Sequence, residues 1–213
     1  MKILEKVILG LDLGKRRDYT ALCAVERWQE YRPSPWEKHE AGPSIYHLTY
    51  LERFPLDTDY PVQLEGVKRI YENAVERYHV KPEIIIDATG PGVPMLDYFK
   101  KEIPWALGCC ITAGNQVSRE KGVFFVPKQH LAATLEIIFQ NRRIKISRDI
   151  PGGNILKKEM MNFRYKTNPE TGHTSFEAWR EKDHDDCVLA VAIALWFGEK
   201  DRKLKVGLRP PFM

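Results

Sequence analysis

Five aspartates carry the chemistry that this sequence offers. Asp12 closes the apolar run Val7-Ile8-Leu9-Gly10-Leu11, Asp87 closes Glu83-Ile84-Ile85-Ile86, and Asp183, Asp185 and Asp186 open a stretch that is apolar from Val188 to Phe197. Each acid stands where a buried element ends or begins. Carboxylates brought to one edge of a sheet repel one another unless positive charge neutralises them. Hard divalent cations do this: Mg²⁺ takes oxygen ligands from a few carboxylates and keeps several waters. Two such ions about 3.5–4 Å apart can activate a water and stabilise the leaving oxygen of a phosphodiester. Cys23, Cys109, Cys110 and Cys187 form no C-x-x-C pair, which argues against a zinc knuckle and predicts free thiols.

Taken singly, each acid has a plainer role. An aspartate ending a strand is often a turn residue, and one ahead of a helix is often a cap or a favourable charge on the dipole. Those roles do not require two apolar strands and one all-apolar helix each to carry an acid at its boundary. The joint pattern is therefore read as a metal site.

The elements that must position these acids can be read from periodicity. Val7–Asp12, Thr20–Trp28 and Ser44–Phe54 are predicted as three neighbouring antiparallel strands. Gln29 to Pro43, with three prolines, is read as a loop or extended hairpin tip. Val62–Tyr78 has the three-and-four spacing of a helix packed by one face. Strand 83–87, a helix from about Pro94 to Lys101 and a parallel-type strand from Trp105 to Ile111 follow. Pro127–Gln140 is a helix opened by proline, Ile144–Ile146 a short strand, Asn154–Phe163 a helix and Phe163–Glu177 a hairpin. His184–Phe197 is a helix apolar on every side past its first turn, as expected of one sandwiched in a core. The order predicts an α/β fold, a mixed sheet with three antiparallel strands and then parallel ones, flanked by helices.

With 213 residues, 43% of them hydrophobic, the chain can bury a full core as one domain. A formal net charge of +4 is compatible with nucleic acid without demanding it. The first residues mix acid and base and lack the apolar core of a signal peptide, and no apolar run reaches the ~20 residues that span a bilayer.

Gly10-Leu11-Asp12-Leu13-Gly14 with Asp18-Tyr19-Thr20-Ala21 resembles the first motif of terminase large-subunit nuclease domains. Ile84-Ile85-Ile86-Asp87-Ala88-Thr89-Gly90-Pro91-Gly92 resembles the second, and His184-Asp185-Asp186-Cys187-Val188-Leu189-Ala190-Val191-Ala192 the third. Val126-Pro127-Lys128, Asn141 to Ile146 and Leu156 to Phe163 are also similar to that family. The resemblance implies an RNase H-like fold related to junction resolvases and two-metal DNA cleavage with Mg²⁺ or Mn²⁺. It implies Asp12, Asp87 and Asp186 as the catalytic, metal-holding triad, with Asp185 in support and Asp183 able to replace or assist it. It also implies double-stranded DNA as substrate, a separate packaging ATPase, small terminase subunit or portal as partners, and the cytoplasm of a phage-infected or prophage-bearing host. The chain is read as a single RNase H-like nuclease domain over 1–213. Its Gly10-Leu11-Asp12-Leu13-Gly14-Lys15-Arg16 is one residue short of a phosphate loop and lacks the hydroxyl that meets Mg²⁺, so no ATPase domain is expected.

Lys15, Arg16 and Arg17 follow Asp12 onto the expected rim, where they could contact phosphate or line a solvated loop. Lys121, Lys128, Arg180 and Lys182 are further DNA-binding candidates. His184 either orders an acid or starts the helix, and Asp18 is read as a turn residue. The competing readings are a junction resolvase using the same acids, a nucleotide-binding protein of the actin and sugar-kinase type, and a non-catalytic interaction module of the same fold. The second needs two lobes, and the third leaves the repulsion among the acids without a purpose.

Overall fold

The computed structural model describes residues 1–14, 16, 18–32, 40–89, 92–162, 166–167, 174–175 and 184–200. Three long strands come first, β1 (Lys2–Asp12), β2 (Ala21–Arg32) and β3 (Glu40–Arg53). Then come α1 (Tyr60–Tyr78), β4 (Glu83–Asp87), α2 (Gly92–Glu102), β5 (Leu107–Thr112), β6 (Ser118–Glu120) and β7 (Val123–Pro127). The chain continues through α3 (Lys128–Gln140), β8 (Ile144–Ile146), α4 (Gly153–Asn162), β9 (Lys166–Thr167), β10 (Thr174–Ser175) and α5 (Asp186–Lys200).

Eight strands form one sheet in the order β6-β7-β5-β4-β1-β2-β3-β8. β1, β2 and β3 are antiparallel neighbours, whereas β1, β4, β5 and β7 run parallel and β8 lies parallel to β3. The expected mixed sheet is therefore present. Two of its strands, β6 and β7, were not anticipated. Val123-Phe124-Phe125-Val126 is apolar and β-prone, and Pro127, read as the opening of a helix, is instead the last residue of β7, with α3 starting at Lys128. The described ends of the Gln29–Pro43 segment are strand, since β2 and β3 pair as far as Arg32 and Glu40. The described pairs of the Phe163–Glu177 hairpin are Thr167 with Thr174 and Lys166 with Ser175.

Alternation along the strands sorts the core into two layers. Val7, Leu9, Leu11, Ile84 and Ile86 face α1 and α2, where Leu64, Val67, Ile70, Leu96 and Phe99 cover them. Ile8, Cys23, Val25 and Ile85 face α5, which is covered in turn by α3 and α4 through Leu131, Leu135, Ile138 and Leu156. A helix enclosed on all sides must be apolar on all sides, and every residue of α5 from Asp186 to Gly198 is buried. Gly10 lets it approach β1: a Cβ there would lie 2.3 Å from the Ala190 carbonyl oxygen and 2.9 Å from the Ala194 Cβ. No helix among the described residues is long and apolar enough to cross a membrane.

Candidate active site at the carboxyl ends of the parallel strands

Strand register decides where the first two acids meet. Leu11 pairs with Ile86 between β1 and β4, so the next residues, Asp12 and Asp87, end adjacent parallel strands at one level. By alternation both follow the set that faces α5. The close contact of Gly10 with Ala190 fixes α5 against the same strand, and Asp186, one turn before Ala190, then comes to the end of β1. Ligand sites of open α/β sheets lie at such carboxyl ends.

Electrostatics shows how close the acids stand. Burial, then repulsion from Asp87, Asp186, Asp185 and Asp18, raises the Asp12 carboxyl well above the usual carboxylate range. Burial also raises Asp87, and its hydrogen bonds from Thr89 work against that. Asp185 and Asp186 are each pushed up to about 6, mainly by burial, with Lys128 opposing at Asp185 and His184 at Asp186. Four carboxyls with raised pKa at one spot form a site with less positive charge than its acids need.

Local bonds orient the set. Thr89 donates its N–H to Asp87 Oδ1 at 2.8 Å and its hydroxyl to the same oxygen at 2.5 Å. Its Oγ1 also accepts the Ile111 N–H at 2.9 Å, tying the turn to β5. Asp87 thus makes the turn anticipated for it and joins the acid cluster as well. The loop after β1 is closed at Gly14, whose N–H donates to Thr20 Oγ1 at 2.9 Å and whose carbonyl accepts the Thr20 hydroxyl at 2.8 Å and Gln63 Nε2 at 3.2 Å. This brings Asp18 to the site: one ligand atom each of Asp18, His184 and Asp186 lie within 4.8 Å of one another.

Asp12, Asp87, Asp185 and Asp186 are therefore brought together, and Asp18 and His184 stand with them. Lys128 lies half-buried at the start of α3 near Asp185. Arg16 is exposed on the loop after β1. Lys121 is elsewhere: it occupies the β6–β7 turn, at the amino end of β7, a strand's length from the carboxyl ends where the acids sit. Asp183, Lys15, Arg17, Arg180 and Lys182 lie outside the described residues.

Sequence reasoning missed Arg53, Tyr19 and Glu159. Arg53 ends β3, level with Ala21 and so with Asp12. Its guanidinium lies 4.0 Å from the centre of the Tyr19 ring, and Tyr19 meets the His184 ring edge-on at 4.7 Å. Glu159, buried on α4, accepts the Val188 N–H at 3.0 Å and stands 3.6 Å from Arg53. The available signal was an acid at 159 among Ile155, Leu156 and Met160, on the stripe that α4 buries.

No protein-family model and no curated protein sequence matches the chain. Solved structures do match. The nuclease domain of g2p, the large terminase of bacteriophage SPP1, determined with bound Mn, has a TM-score of 0.53 at 15% identity, covering 92% of this chain and 88% of its own. A human cytomegalovirus terminase nuclease domain gives 0.54 at 13% identity, with 91% and 83% covered. The large terminase nuclease of thermophilic phage G20c gives 0.50 at 16% identity, with 91% and 86% covered. Over about nine-tenths of its length, the chain has the RNase H-like fold of these terminase nuclease domains.

Proposed function

We propose that this chain is a metal-dependent DNA endonuclease of the terminase type, in which Asp12, Asp87 and Asp186 hold two Mg²⁺ or Mn²⁺ ions with Asp185 in support. The observation that carries the reading is the convergence of carboxylates from β1, β4 and α5 on one spot, where burial raises all four pKa values and repulsion from neighbouring acids adds to the rise at Asp12, Asp185 and Asp186. The donor set fits such ions. Oδ2 of Asp185 and Oδ2 of Asp186 are buried without a hydrogen-bond partner, and an oxygen-rich group of this kind suits a hard cation. Divalent ions held there supply Lewis acidity toward a phosphodiester.

The chain's own residues do the rest. Thr89 fixes the direction of the Asp87 carboxylate, and His184 Nδ1, 3.9 Å from Asp186 Oδ2, orders that acid. Lys128 and Arg16 are proposed to bind backbone phosphates. The neighbours' fold supports double-stranded DNA as the substrate and packaging or processing of phage DNA as the setting, with an ATPase, a small terminase subunit or a portal as partners inside the host cell. Asp183 is proposed to assist the cluster.

A plasmid nicking and linearisation assay with Mg²⁺, Mn²⁺ or EDTA, run beside Asp87→Asn, tests this. Metal-dependent cutting that the variant loses is the expected result. Failure of the folded wild-type chain to cut with either metal would overturn the reading of this chain as a nuclease active by itself.

A further inference from the structure

We propose that Glu159 is a positioning residue that caps α5 from a neighbouring helix in place of Asp185, leaving the Asp185 carboxylate to the acid cluster. The inference rests on the metal-site reading above and extends it to a residue outside the metal-holding set.

The Leu189 N–H donates to the Asp185 carbonyl at 2.8 Å, which makes Asp185 the residue at the amino cap of α5. An aspartate at that position ordinarily turns its carboxylate onto the N–H of the second or third helical residue. Here the third is Val188, and its N–H donates to Glu159 Oε2 at 3.0 Å. Asp185 Oδ2 meanwhile is buried with no hydrogen-bond partner. A helix start needs its N–H groups satisfied, and a charged acceptor brought in from α4 does so strongly. Asp185 is thereby relieved of the cap.

Glu159 is held in place for this. The Gly152 N–H donates to the Leu51 carbonyl at 2.9 Å, and a Cβ on Gly152 would come within 2.7 Å of Leu51 Cγ. α4 therefore starts pressed against β3, and two turns later Glu159 lies beside Arg53, the last residue of that strand. Arg53 stands 3.6 Å from Glu159 Oε1 and stacks on Tyr19, which contacts His184, the residue before Asp185. One run of contacts thus reaches both sides of the cap.

The test is Mn²⁺ binding by isothermal titration calorimetry on the whole chain, with thermal unfolding to verify that each variant is folded. Glu159→Ala is expected to weaken Mn²⁺ binding about tenfold or more, the usual size for losing a residue that orients a ligand. Glu159→Gln keeps an acceptor for the Val188 N–H and is expected to bind far closer to wild type. In an Asp185→Ala background, Glu159→Ala is expected to cost nothing further, because the two act through one carboxylate. The proposal is overturned if Glu159→Ala binds as wild type does, if the Gln and Ala variants lose equally, or if the loss recurs in full without Asp185. Absence of Mn²⁺ binding by the wild-type chain would overturn the metal-site reading as well. Wild-type binding that Asp12→Asn abolishes and Glu159→Ala leaves intact would overturn this inference alone.

Discussion

Asp12 and Asp87 end neighbouring parallel strands at one level, because Leu11 and Ile86 pair one residue earlier in the register of β1 with β4. Two carboxylates so placed cannot both ionise cheaply, and Asp12, the more deeply buried, bears the larger burden from Asp87, Asp186, Asp185 and Asp18 after desolvation itself. A side chain kept at such a cost to folding serves something other than stability.

Replacing Asp12 by Asn removes one member of the repelling set while preserving shape. The Asn variant is expected to lose metal-dependent cleavage by several orders of magnitude. In EDTA it should unfold at a higher temperature than wild type. Calorimetric melting beside the nicking assay reads both effects. A variant that cuts at the wild-type rate would remove Asp12 from the site.

The pH dependence of stability follows from the same acids. Burial, and after it the charge of Asp185, pushes Asp186 up to about 6 against the pull of His184, while Asp185 itself reaches about 6, chiefly by burial. An unfolded aspartate titrates near ~3.9. Between those values the folded chain binds more protons than the unfolded one, so stability falls as pH rises through the window. In EDTA, melting temperature is expected to drop from pH 5 to pH 8, and Asp186→Asn should flatten the slope. Excess Mn²⁺ at pH 8 should restore the stability lost. A wild-type slope identical to that of Asp186→Asn would show that this acid carries no such strain.

The packing of α5 on β1 gives a test away from the acids. Gly10→Ala would set a methyl 2.3 Å from the Ala190 carbonyl and 3.0 Å from Cys23 Sγ. Backbone and a buried thiol cannot yield there without moving the helix, and overpacking of this kind costs typically 1–3 kcal/mol. Chemical denaturation should register that loss. Because α5 also carries Asp186, Mn²⁺ affinity should fall with it, although residue 10 touches no metal ligand. Unchanged stability would mean that the helix is less tightly seated than the contact distances imply.

Much of this was legible in the residues. The strand-ending acids and the all-apolar last helix were visible because each is a local pattern, and the sheet then brought them together as expected. What could not be read was long-range. β7 was not read because Pro127 signals a helix start as readily as it ends a strand. Arg53 carries no local mark of function, and Tyr19 sits inside the first motif without a role of its own being readable there. Arg53 matters only because the β2–β3 register sets it level with Asp12, and Tyr19 only because Gly14 and Thr20 close the loop around it. Glu159 alone left a trace, as a charge on a buried stripe.

The two lysines once grouped as DNA contacts now separate. Lys128 opens α3 at the carboxyl end of β7, where burial pulls its pKa down to about 8 against the attraction of Asp185. Lys121 is exposed at the opposite end of the same strand with φ +46°. A half-buried cation beside the acids can stabilise phosphate charge that develops during cleavage, and losing such a group costs on the order of 10–1000-fold in rate. Lys128→Ala is therefore expected to lower the cleavage rate within that range at saturating DNA. Lys121→Ala should change the rate less than about twofold and leave the salt dependence of binding unaltered, whereas loss of a phosphate contact would shift that slope by about one. Single-turnover cleavage of linear duplex at two salt concentrations distinguishes the two. Equal losses in both variants would show that distance from the acids does not separate the two lysines.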